Sequence, residues 1–81
     1  MCKLYVCYTR IGPFYIAYAR GQYTVVFENE SLASYSTPEV AAQHISGRDR
    51  FLVGGGYDTK SLGIPANLRF WESCLQHAAN F

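Results

Sequence analysis

Two β-rich runs, Phe14-Tyr15-Ile16-Ala17-Tyr18-Ala19 and Gln22-Tyr23-Thr24-Val25-Val26-Phe27, flank the dipeptide Arg20-Gly21. Aromatic and β-branched residues on both sides of a two-residue link that ends in glycine predict a tight antiparallel hairpin. Such a link sets the register: Tyr15 faces Val26, Ile16 faces Val25, Ala17 faces Thr24 and Tyr18 faces Tyr23. One face then carries Phe14, Ile16 and Tyr18 across from Phe27, Val25 and Tyr23, a ladder of large side chains that reads as the core side. The other carries Tyr15, Ala17 and Ala19 across from Val26, Thr24 and Gln22. Neither face is polar, so the sheet is expected to be covered on both, by the chain's own helices or by a partner.

The remaining elements follow from local signals. Residues 3–9 form a strand ahead of the turn cluster Arg10-Ile11-Gly12-Pro13, and Leu4, Val6 and Tyr8 join either face according to how that turn closes. Leu32–Tyr35 is a short fourth strand. Thr37 is a helix N-cap, Pro38 suits the first helical position and Glu39 sits by the positive end of the helix, so a helix is predicted over 38–46 with Gly47 as its stop. That helix shows Val40, Ala41, His44 and Ile45 on one side. Residues 48–53 read as a further edge strand and Gly54–Thr59 as a flexible loop. Leu68, Trp71, Cys74, Leu75 and Ala78 make one stripe of a closing helix from about Asn67 to Ala79. The expected architecture is α+β: a three- to four-stranded antiparallel meander with two helices packed on the sheet, in one domain over 1–81.

Composition bounds the function. A chain of 81 residues buries only about 60–65% of its unfolded surface, which leaves little room for an enclosed active site. Only 16% of its residues are charged, against about 25% in an ordinary soluble domain. The formal charge is +1, and seven bases are interleaved with six acids, so no basic footprint for nucleic acid stands out. No apolar run approaches the ~18 residues of a membrane span, and the first residues are too short and polar for a secretory segment. Three cysteines, without Cys-x-x-Cys spacing, fit reduced thiols in a cytoplasm better than a disulfide scaffold.

Each motif with a chemical reading has a simpler structural one. Gly54 followed by Lys60-Ser61 has the spacing of a phosphate-binding loop, but Thr59 stands where its second glycine belongs and Gly63 and Pro65 interrupt the helix that should follow. Cys2, Cys7, Cys74 and His77 suit zinc in kind, yet Cys2 and Cys7 point to opposite faces of a strand, and only Cys74 with His77 is well spaced. Whether that pair holds a metal stays open. Neither His44 nor His77 has an orienting third group at recognisable spacing for a cysteine nucleophile. The sequence therefore predicts no catalytic residue and no cofactor.

Tyr23–Leu32, Ser34-Tyr35 and Thr37-Pro38-Glu39, continuing to Asp58-Thr59, Leu62-Gly63-Ile64-Pro65 and Trp71, resemble a family of small uncharacterised bacterial proteins with a strand, a Leu-x-Ser-Tyr-x-Thr segment and a capped helix. The resemblance implies a fold unit and carries no activity. A sheet followed by a helix is also the layout of some plant transcription-factor domains and phage integrase arm-binding domains, while compact domains without a catalytic signature occur among phage and plasmid inhibitors, anti-CRISPR proteins included. The function expected is protein binding without catalysis through Tyr15, Thr24 and Val26, with Arg48 and Arg50 at the rim of that face. Nucleic acid is the alternative partner, a homodimer through the apolar face is a further one, and a membrane is not expected.

Overall fold

The computed structural model describes the backbone of residues 3–75 and the side chains of residues 4–74. Four strands follow one another, β1 (Lys3–Thr9), β2 (Gly12–Ala19), β3 (Gln22–Phe27) and β4 (Glu30–Tyr35), each antiparallel to the next. The expected β2–β3 register holds throughout, from Tyr15↔Val26 to Ala19↔Gln22. Arg20 (φ 53°) and Gly21 (φ 79°) are both left-handed, as are Glu28 (φ 52°) and Asn29 (φ 65°) in the link to β4. Both links are thus primed turns, whose twist matches that of the strands they join.

The first link is also short, with Thr9 opposite Gly12. The expected four-residue turn therefore closes over Arg10-Ile11 alone, and Gly12-Pro13 belongs to β2. The Thr9 hydroxyl donates to the Gly12 carbonyl at 2.8 Å and accepts from the Ile11 N–H at 3.3 Å, which holds the link together. Pro13 is tolerated because β2 meets β3 only from Tyr15 onward, so its missing N–H costs no ladder bond. This register decides what the sequence left open: Tyr5 and Cys7 join the Phe14/Ile16 face, while Leu4, Val6 and Tyr8 join the Tyr15/Ala17 face.

The Phe14/Ile16 face holds the main core. Phe14 and Phe27, just beyond the last paired residues of β2 and β3, stack with ring centroids 4.5 Å apart, and Phe14, Ile16 and Val25 are fully buried. Helix α1 (Pro38–Gln43) runs over them, capped as expected by Thr37, whose hydroxyl accepts from the Val40 N–H at 3.1 Å. A wide π-helical turn, His44–Arg48, continues it. Ala41, Ala42 and Ile45 face the sheet, and the two alanines let the helix approach closely. A helix this short has no stability of its own and depends on that burial. Each of the large side chains buried here contributes about 1.5–3 kcal/mol.

Beyond the helix the structure departs from expectation. In place of an edge strand over 48–53, β5 (Leu52–Val53) pairs with β6 (Tyr57–Asp58) as a separate two-stranded hairpin. The closing helix is replaced by one 3-10 turn, Leu68–Phe70, and by β7 (Glu72–Leu75), which pairs antiparallel with β1. Residues 76–79 of the expected helix, with Ala78 and His77, lie outside the described residues. Trp71 is already extended (φ −91°, ψ 144°). Phe, Trp, Ser and Cys are mediocre helix formers, and β1 would otherwise present a bare edge; pairing satisfies its backbone groups. Trp71 anchors the loop before it: its ring is buried and its indole N–H donates to the Pro65 carbonyl at 3.0 Å.

The fold is accordingly α+β: among the described residues, a five-stranded antiparallel sheet in the order β4-β3-β2-β1-β7 with one short α-helix, in place of the smaller meander with two helices that the sequence predicts. Arg20 adopts a left-handed conformation that costs an ordinary L-residue about 1–2 kcal/mol. Arg20→Asn should therefore raise stability by roughly 0.5–1 kcal/mol, read as an increased urea midpoint with an unchanged slope; a lowered midpoint would show that the arginine side chain itself holds the turn.

Candidate functional site on the second face of the sheet

The buried apolar residues fall into two groups. Phe14, Ile16, Val25 and Phe27 form one continuous cluster with Ala41, Ala42, Ile45, Val53, Leu62, Ile64 and Trp71. Val6 (9% exposed), Ala17 (1%) and Val26 (1%) are buried as well, but they stand on the opposite face and outside that cluster. Among the described residues no helix joins them there. The pairing lines up Glu72, Val6, Tyr15, Val26 and Ser31 in one row across the strands, and Ala17, Thr24 and Ser34 in the next. The Thr24 and Ser34 hydroxyls meet at 2.9 Å.

Two depressions mark the ends of this face. The larger, about 430 Å³, has Ala17, Tyr18, Arg20, Gln22, Thr24 and Ser34 in its lining. The smaller, about 230 Å³, is lined by Pro13, Tyr15, Val26, Glu28 and Asn29. A basic residue thus stands at one end and an acid at the other, with Glu72 on the acid half beside Val6. Tyr8 projects at that same end, 69% exposed. Arg10, the other base near this end, is turned away: its guanidinium donates to the Ser61 carbonyl at 3.1 Å and lies 6.0 Å from the Tyr57 ring.

Of the residues expected to bind a partner, Tyr15, Thr24 and Val26 do share one face. Tyr15 and Thr24 are half-buried, while Val26 is part of the packing beneath the surface. Arg48 and Arg50 do not stand at its rim. They follow the helix, in the layer on the Phe14/Ile16 side, where the neighbouring Phe51 packs on the main core. Arg50 Nε donates to Asp58 Oδ2 at 2.6 Å. The charged rim is supplied by Arg20, Glu28 and Glu72 instead. The displacement follows from the short hairpin: residues 48–53 do not extend the sheet, so nothing carries these arginines round its edge.

A second cluster has no counterpart in the sequence reading. Asp49 Oδ2 accepts from the Tyr35 hydroxyl at 2.6 Å and lies 3.0 Å from His44 Nδ1, and the Tyr35 and His44 rings are 4.9 Å apart. His44 therefore does have an orienting carboxylate, five residues away, brought near where the helix opens into its wide final turn. The Asp49 N–H also bonds the His44 carbonyl at 2.8 Å. The cluster ties the helix end to β4. Burial and the hydrogen bond to Asp49 push the Tyr35 hydroxyl well above the ordinary tyrosine range, and the bonds from Tyr35 and His44 hold the Asp49 carboxyl below its usual value.

Other candidate chemistry loses its geometry. Cys7 is buried on the main core face and Cys74 is exposed on the other, so the two cannot share a metal. Cys2 and His77 lie outside the described residues, and among the described ones no three metal-ligating side chains come together. In the phosphate-loop lookalike, Asp58 accepts from the Lys60 N–H at 2.9 Å, placing a carboxylate where a phosphate would have to sit. The chain matches no known protein family, no curated protein and no solved structure. No helix among the described residues is long and apolar enough to cross a membrane.

Because the folded-state pKa of Asp49 is lowered, its contribution to stability is full above the unfolded value of about 3.9 and is lost as pH falls through the lower folded value. Urea midpoints of the wild type and Asp49→Asn, followed from pH 7 to pH 2, should differ most at neutral pH and converge below about pH 4. A gap that stays constant across that range would show that the carboxylate's charge plays no part.

Proposed function

We propose that this chain is a protein-binding module that works without catalysis through the second face of its sheet. The observation that carries the reading is the separate buried group of Val6, Ala17 and Val26 on a face that no described helix covers. Sheets of this kind alternate apolar and polar residues when one side is left to water. Here the second side carries valine, alanine, leucine and tyrosine, framed by hydroxyls, a composition that resembles the centre of an interface more than a solvated surface. A phage- or plasmid-type inhibitor occupying a surface of a larger complex, as anti-CRISPR proteins do, would use the same face.

Nucleic acid is the weaker reading. The described charges bordering the face are Arg20 against Glu28 and Glu72, which repels a phosphate backbone as much as it attracts one. Binding to nucleic acid would weaken steeply with salt; protein binding here would not.

Thr24→Arg places a long charge at the half-buried centre of the face and should abolish partner binding while leaving the thermal midpoint close to that of the wild type. The check is capture of partners from the source cell by the tagged wild type and by the variant, with and without nuclease. Nuclease-sensitive capture would replace protein by nucleic acid as the partner, and equal capture by wild type and variant would exclude this face. Val26→Glu is a control for the fold: burying an unpaired carboxylate at this site should cost several kcal/mol and lower the midpoint sharply.

A further inference from the structure

We infer that the partner this face fits is a second copy of the same chain, docked sheet to sheet with its strands running antiparallel to those of the first. The inference rests on the reading of the second face as a binding surface and goes further by naming what covers it. Its support is the way charge and shape are distributed along the strands. Arg20 sits in the turn before β3 and borders the larger depression, and Glu28 sits in the turn after β3 and borders the smaller one. The two charges therefore stand at opposite ends of the same strand. A two-fold axis lying in the interface, across the strands, brings each end onto the opposite end of the other copy. Arg20 of either copy then meets Glu28 of the other, twice over by symmetry, and the acid Glu72 falls on the basic half.

The side chains follow the same division. The half near Arg20 carries Ala17, Ala19, Thr24 and Ser34 beside Tyr18 around the 430 Å³ depression, with Leu4 on the β1 side. The half near Glu28 carries Tyr15 and the projecting Tyr8, 69% exposed. Turning one face onto the other sets Tyr8 and Tyr15 of each copy toward the 430 Å³ depression of the other, whereas a parallel arrangement would set Arg20 toward Arg20. The net charge of +1 puts little repulsion in the way of self-association.

Size bounds the strength. Five strands spaced about 4.8 Å apart and about 20 Å long present roughly 500 Å² per copy, so the pair would bury about 1,000 Å², at the low end for a specific interface. Much of the apolar surface is already buried within one copy, so a dissociation constant in the micromolar range or weaker is expected.

Sedimentation of the full chain up to about 500 µM should show a concentration-dependent mass rising from 9.1 kDa toward twice that value. Arg20→Glu and Glu28→Arg should each weaken association about tenfold or more, since each puts two like-charge contacts into the dimer. The double variant Arg20→Glu/Glu28→Arg should restore it. Both positions already hold long side chains at positive φ, so these exchanges leave the turn cost unchanged, and circular dichroism confirms folding in each case. A wild type that stays monomeric throughout, or single variants that associate as the wild type does, overturns the inference. So does a double variant no better than the singles. A monomeric wild type whose capture of another protein is lost in Thr24→Arg would remove only the second copy as partner; Thr24→Arg without effect on either self-association or capture would remove the binding face itself.

Discussion

The left-handed turn at Arg20-Gly21 is the constraint on which the rest of this molecule depends. Positive φ at both residues sends β3 back along β2 with no slack, so each side chain of β3 has one partner on β2 and one face to occupy. A slip of one residue would turn Val25 and Phe27 to the second face, break the Phe14–Phe27 stack and leave helix α1 half its apolar seat. The second primed turn, at Glu28-Asn29, repeats the operation and delivers β4. The ladder shifts once between Val25 and Val26, which gives the outer strand a bulge that discourages pairing beyond it. From there Thr37 starts the helix at a place where it can only fall on the Phe14/Ile16 face.

The other outer edge is managed by pairing. β1 would be exposed along its length, and the chain returns from the Trp71 anchor to cover it with β7. Loops between α1 and Trp71 lie on the same side as the helix, and their buried residues Val53, Leu62 and Ile64 all enter the main core. The consequence for function is an asymmetric sheet. One side takes helix and loops; the other takes no described helix, yet Val6, Ala17 and Val26 are buried on it among Tyr15 and the Thr24 and Ser34 hydroxyls.

The Tyr35–Asp49–His44 cluster shows how a functional-looking arrangement can arise from structural needs. A carboxylate that orients a histidine is half of a base-activating pair, but its tyrosine partner belongs to β4 and the aspartate backbone closes the helix end. The Tyr35–Asp49 bond ties the helix end to the sheet, and the two bonds between His44 and Asp49 close the helix end itself. Its value lies in coupling that end to β4, with a pH dependence that follows from the depressed carboxyl.

The local elements were legible because their causes are local. Turn residues with positive φ, the alternation of Phe14, Ile16, Val25 and Phe27, and the Thr37-Pro38-Glu39 cap all act over a few residues, so the hairpin, its register and the helix start could be read from the chain alone. The grouping of Tyr15, Thr24 and Val26 followed from that register. The closing segment could not be read this way, since Leu68 and Trp71 at a spacing of three fit a helix as well as a loop leading into a strand, and the choice was made by an empty edge some 65 residues earlier in the chain. Likewise Arg48 and Arg50 were placed by the fold of a hairpin they do not belong to, and Asp49 met Tyr35 only because β4 and the helix end converge. Sequence by itself determined how β2 and β3 pair and which residues share each of their faces, because backbone geometry and side-chain alternation are short-range. Only the tertiary structure decided what covers each edge and face, because that depends on which distant backbone and side-chain groups remain unsatisfied once the local elements have formed.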